Sequence, residues 1–308
     1  LEKADKEYAN KLGVKKEDLQ KYRQTVELLG NIINPETNET VIEELRALIS
    51  KIIAKRLKPQ PAPQYPVIEG EDLVDPAQLV ADVKSGNLEP KVWETFEMRE
   101  KRSKKFGEVE ITLVCDRSTS MDEDGGAKKH EQQKAAVLLM EALKDFADIC
   151  EAKRVNMDSP LEVRSEIFSF QSSSEDAKPL KPMSKDLSEK ERVDIFGKLA
   201  TTSGSTTDFV PLGVIEKGLT DELKKKIIEG ELKKIVIVFT DGGSDNVSLV
   251  RSVLDKLREA QVVVIGVGIT ESGEPALTTY APNARLAETA EKLPAVLGDL
   301  LKENLADL

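Results

Sequence analysis

The sequence predicts an α/β fold: a doubly wound, mostly parallel sheet with helices on both faces, preceded by a helical N-terminal region. Three observations carry this. From Val109 onward, apolar runs of strand length (VEITLVCD, LEVRSEIFSF, KKIVIVFTD and QVVVIGVGI) alternate with stretches of helical period, and strands that alternate with helices build parallel sheets covered on both sides. Upstream, residues 17–53 carry two helical stripes and no strand pattern. Between the two regimes, KPQPAPQYP at 58–66 holds four prolines in nine residues, which stops helix and favours an extended spacer. The expected division is 1–58, a helical hairpin or arm; 59–107, a proline-rich spacer with connecting helices; and 108–308, the α/β domain.

The elements follow in order. Leu19, Tyr22, Val26 and Leu29 share one helical stripe, and Val41, Leu45, Leu48, Ile49, Ile52 and Ile53 share a second. Thr40 and Glu43 have the spacing of a capping box for that second helix. Residues 76–105 read as helix interrupted at SGNLEP, ending in the basic run MREKRSKK, a solvated helix end. Val109–Asp116 is a buried strand. A helix over 131–150 places Ala136, Leu139, Leu143, Phe146 and Cys150 on one face. The second strand occupies 161–170, Ser188 and Glu191 box a further helix, and 209–229 holds one more. A fully buried strand at 233–241, a helix at 247–260, a strand at 261–269 and a closing helix near 288–305 complete the pattern.

Composition bounds the function. With 308 residues and 39% hydrophobic content the chain can bury a full core. A net charge of -11 argues against a nucleic-acid partner, whose binding draws on displaced counterions around Lys and Arg. No stretch approaches the roughly 20 apolar residues of a membrane span. Cys115 and Cys150 make no disulfide framework, which suits a reducing cytoplasm. The chain begins on Leu1 and reads as a piece of a longer one, which leaves an upstream targeting segment open.

In doubly wound sheets ligands bind beyond the carboxyl ends of the strands, at the topological switch point. Three stretches end at that edge. CDRSTSM contributes Asp116, Ser118 and Ser120; TTSGSTTDF contributes Thr206, with Thr207 and Asp208 beside it; and VFTDGGSDN contributes Asp241. Singly, such residues read as turn or cap residues. Asp208 reads as a carboxylate at a helix N-terminus, and His130, the only histidine, as a solvated residue at a helix start. Hydroxyl and carboxylate oxygens without His or thiolate suit a hard cation.

The set resembles the metal-ion-dependent adhesion site of the von Willebrand factor A family: Asp-x-Ser-x-Ser, a distant Thr and a distant Asp, over about residues 108–308. Thr119 stands where the family usually has Gly. The resemblance implies that Ser118 and Ser120 bind the metal directly, Thr206 directly or through water, and Asp116 and Asp241 mostly through water. The metal would be Mg2+, with Mn2+ or Ca2+ as alternatives. It also implies a protein partner whose Asp or Glu fills an open coordination position; no catalytic turnover is expected, because no general base, nucleophile or phosphate loop is evident in the sequence. The upstream helices and the ending ARLAETAEKLPAVLGDLLKENL look most like the intracellular branch that works with MoxR-type AAA+ ATPases or forms chelatase subunits. The ATPase would be the partner, because no Gly-x-x-x-x-Gly-Lys-Ser/Thr loop occurs here.

An alternative is a haloacid-dehalogenase-like Mg2+-dependent phosphohydrolase with Asp116 as nucleophile, since Asp116, Ser169, Asp241 and Asp245 mimic its layout. Position 118 argues against it. Such an enzyme needs a second carboxylate there as general acid, and Ser118 has no useful pKa for that role.

Overall fold

The structure is a computed structural model that describes the chain except for residues 1, 32, 34–37, 57–61, 70–71, 88, 98–105, 158 and 306–308. It opens with three helices, α1 (Glu2–Leu12), α2 (Lys16–Leu29) and α3 (Val41–Arg56). A small sheet follows: β1 (Ala62–Val67), β2 (Asp72–Leu73), α4 (Pro76–Lys84) and β3 (Trp93–Glu97), with β3 antiparallel between β1 and β2. The large domain then runs β4 (Glu108–Asp116), α5 (Glu123–Lys153), β5 (Glu162–Phe170), β6 (Lys181–Ser184), α6 (Glu189–Leu199), α7 (Phe209–Lys217) and α8 (Asp221–Ile228). It continues through β7 (Leu232–Thr240), α9 (Val247–Glu259), β8 (Val263–Ile269), α10 (Glu274–Thr279), β9 (Ala284–Ala287) and α11 (Leu293–Leu305).

Its six strands lie in the order β6-β5-β4-β7-β8-β9, and only β6 is antiparallel to its neighbour. This is the doubly wound sheet that the alternation predicts. Strand side chains alternate between faces. On β4, Val109, Ile111, Leu113 and Cys115 join the core shared with Ala136, Leu139, Leu143 and Phe146 of α5. On the other face Val114, Phe168, Phe170, Val236 and Val238 pack with Leu212 and Ile215 of α7 and Val250 and Leu254 of α9.

The lower half of that second face is charged. Glu110 stands in register with Arg164 on one side and Lys234 on the other. Its carboxylate takes Lys234 Nζ at 2.7 Å and Arg164 Nη2 at 3.2 Å. Glu110 and Lys234 are both buried, so each charge depends on the other.

The N-terminal helices lie against the large domain. Leu19, Tyr22, Leu29, Leu45, Ile49, Ile52 and Ile53 belong to the same core as α5 and α11. The Tyr22 ring meets Phe196 of α6 edge-on at 5.7 Å, and its hydroxyl donates to Glu141 of α5. Lys302 of α11 donates to Glu44 of α3 at 2.7 Å. Both capping boxes form. Glu43 N and Glu191 N donate to the hydroxyls of Thr40 and Ser188, and the two carboxylates accept the N–H groups in return.

Three expectations need correction. Helix does not continue through 76–105: α4 ends at Lys84, and Trp93–Glu97 forms the centre strand of the small sheet, where pairing with β1 and β2 outweighs weak local helix preference. The basic run at 98–105 lies outside the described residues. The helix placed at 131 begins at Glu123, and 209–229 holds two helices, with Thr220 capping the second.

Candidate metal centre

The β4 chain leaves through α5 to β5 on one side, while β7 leaves through α9 to β8 on the other. Between neighbouring strands whose connections diverge lies the switch-point crevice. Four of the five candidate residues meet there.

Asp116, fully buried, ends β4. One carboxylate oxygen accepts the Ser118 N–H at 2.7 Å; the other accepts the Thr240 hydroxyl at 3.0 Å and the Asp241 N–H at 3.4 Å. Burial pushes its pKa up to about 7 against the lowering effect of the Ser118 bonds, and the Asp241 charge adds to the rise. The Ser118 and Ser120 hydroxyls are 3.0 Å apart, and Ser120 donates to Asp241 Oδ1 at 2.6 Å. Two hydroxyls and two carboxylates thus form one connected set. The backbone beneath it is gripped by Gln132 of α5, which accepts from Asp116 N at 3.0 Å and donates to Asp116 O at 2.7 Å.

Thr206 arrives on the loop between α6 and α7. It is buried, and its carbonyl accepts the Asp245 N–H at 2.9 Å. Among the described residues its hydroxyl makes no direct bond to the other four candidates. Its neighbour Thr207 faces away, donating to Asp176 at 2.6 Å and accepting Ser172 N at 2.9 Å. The loop is tied to both strand ends. Ser203 N donates to Arg117 O at 2.8 Å, and Thr119 sends both its N–H and its hydroxyl to Gly204 O, at 3.1 and 3.0 Å. The Thr119 hydroxyl therefore adds a tether that glycine in its place would lack.

Asp208 stands at the N-terminus of α7, as expected, and its carboxylate also accepts the Ser244 and Tyr280 hydroxyls, each at 2.5 Å, which ties α7 to the β7–α9 loop and to the residue after α10; burial raises its pKa. His130 is exposed, as expected, with Gln133 Oε1 at 3.3 Å. Cys115 and Cys150 are both buried. Ser169 is in register with Cys115, on the face away from Asp116, which disfavours the phosphohydrolase layout.

Sequence reasoning missed Gln132 and Lys128. Gln132 carried a signal, being a polar residue four before Ala136 on an apolar helix stripe. Lys128 carried none within its charged loop, yet its Nζ lies 2.8 Å from Asp241 Oδ2. The donor set fits a hard divalent cation: hydroxyls and two carboxylates, all oxygen. Among the described residues no group of three or more His, Cys, Asp or Glu that could hold a metal gathers anywhere, so the crevice depends on its hydroxyls as well as its two carboxylates.

Fold and crevice together define a doubly wound α/β domain with an oxygen-lined switch point. Residues 110–298, more than half of the chain, match the von Willebrand factor type A domain model, and the protein belongs to that family. An uncharacterized protein of Treponema pallidum (strain Nichols) is 26% identical over 198 residues, covering 63% of this chain and 32% of that protein. The chain therefore spans about a third of the length of that curated relative. Similar solved structures include proximal thread matrix protein 1 of the mussel byssus with a zinc-occupied MIDAS motif (16% identity, 65% of this chain and 46% of that one, TM-score 0.40). Another is the manganese-loaded TRAP protein of Plasmodium vivax (13% identity, 66% and 75%, TM-score 0.42). Among the described residues no helix is long and apolar enough to cross a membrane.

Proposed function

We propose that the protein is a divalent-metal-dependent protein–protein interaction module. Asp116, Ser118, Ser120, Thr206 and Asp241 hold the ion, Mg2+ with Mn2+ or Ca2+ as alternatives, and the partner supplies an Asp or Glu. The observation that carries this reading is the Ser118–Ser120–Asp241 chain of oxygens at the switch point, with hydroxyl contacts of 3.0 and 2.6 Å. A bound ion would supply a positive centre for the partner's carboxylate. Two ligand carboxylates balance a divalent charge without exceeding it, and neutral hydroxyls leave the ion electrophilic.

The chain's own residues orient this set. Gln132 fixes the end of β4, Thr240 holds the Asp116 carboxylate, and Thr119 and Asp208 hold the Thr206 loop. The finer reading takes the partner as a MoxR-type AAA+ ATPase or chelatase-like assembly in the cytoplasm, supported by the helical region ahead of the domain and the resemblance of its closing helix.

The first test is titration calorimetry with Mg2+ and Mn2+. Asp116→Ala should lose metal binding and stay folded; unchanged affinity would overturn the ligand assignment. Partner binding should likewise rise with Mg2+ and vanish with chelator.

A further inference from the structure

Both carboxylate oxygens of Asp241 are engaged. Ser120 donates to Oδ1, and Oδ2 accepts the ammonium of Lys128 at 2.8 Å, in a pair whose side chains are 3% and 0% exposed. The rest of the ammonium's surroundings are sparse: Ser272 Oγ at 3.3 Å and the exposed Glu123 carboxylate at 3.4 Å. Lys128 follows Gly125 and Gly126, whose φ angles of 71° and 78° turn the chain before the helix continues. A positive charge is therefore buried against the carboxylate that the proposed function gives to the metal.

We propose that Lys128 is a tethered counter-cation of Asp241 that competes with the divalent ion for this carboxylate and lowers the affinity of the site for metal. The inference rests on the proposed metal reading. Asp116 and Asp241 bring two negative charges, and Lys128 brings one positive charge. A divalent ion added to that set must overcome repulsion from the ammonium, and the ammonium gives up its hold on Oδ2 when the ion binds. At a few ångströms in a partly dry site this repulsion is large compared with thermal energy. In the occupied site the same charge offsets part of the ligands' negative charge, which favours a carboxylate ligand from outside.

Lys128→Gln keeps an N–H donor, one bond shorter, and removes the charge, so it should bind Mn2+ about tenfold or more tightly than wild type in calorimetric titration. Tighter binding by the variant supports both readings. Binding by the variant alone supports the role of Lys128 and overturns metal binding by the native chain. Equal or weaker binding by the variant overturns the role of Lys128 and leaves the metal site standing, whereas no binding by either protein overturns both.

A second measurement needs no variant. Acylation of Lys128 in the wild-type protein, followed by mass spectrometry, should be faster with Mn2+ than with chelator. At an Mn2+ concentration that calorimetry shows to saturate the wild-type protein, an unchanged rate would show that the ammonium keeps its place and would overturn the competition, whereas no saturation would overturn the metal reading.

Discussion

Gly204 has a φ of 68°, and a Cβ there would lie 2.0 Å from the carbonyl oxygen of Gln171. Both the left-handed backbone and the close approach require glycine. Gly204→Ala should destabilise the protein by about 1–3 kcal/mol in denaturant unfolding. It should also weaken metal binding by moving Thr206, which lies two residues away. At this scale Asp116, Ser118, Ser120 and Asp241 were legible because each ends or follows a strand whose apolar run is plain in the sequence. Thr206 was legible only through the family pattern. Lys128 was not, because nothing local distinguishes it from the half-buried Lys129 beside it.

The charged half of β4 is the feature of the elements most open to test. Lys234→Ala would leave Glu110 buried beside Arg164 alone and should cost about 3 kcal/mol in thermal or denaturant unfolding. Replacing the pair together, as Glu110→Leu with Lys234→Met, should be much closer to neutral, since a buried pair costs desolvation as well as yielding attraction. The four long parallel strands and the helices between them could be read from the sequence, because strands buried on both faces are long apolar runs. The short strands could not. β6 and β9, of four residues each, and the centre strand β3 depend on neighbours distant in sequence, and no local period marks them.

For the molecule as a whole, the proposed division at the proline spacer predicts limited proteolysis between Lys58 and Val67, checked by mass spectrometry, and the pairing of Ala62–Val67 in β1 directs the cut to the side of Ala62 nearer Lys58. The two fragments should stay associated in size-exclusion chromatography. Tyr22, Leu45, Ile49 and Ile53 are buried in the core of α5 and α11, and separation would expose them to water. Resistance to cleavage would argue against the boundary. The sequence showed that the N-terminal stripes needed an apolar surface to cover, but not which one. Gln132 adds a mechanical consequence. By clasping both backbone groups of Asp116 it welds the crevice floor to a helix that runs on for about 40 Å beyond the glycine pair. The floor cannot tilt without carrying this rod, and α2, α3 and α11 rest on the rod, so the crevice and the N-terminal helices, whose Tyr22 and Arg46 meet α5 at Glu141 and Asp145, bear on one stiff beam.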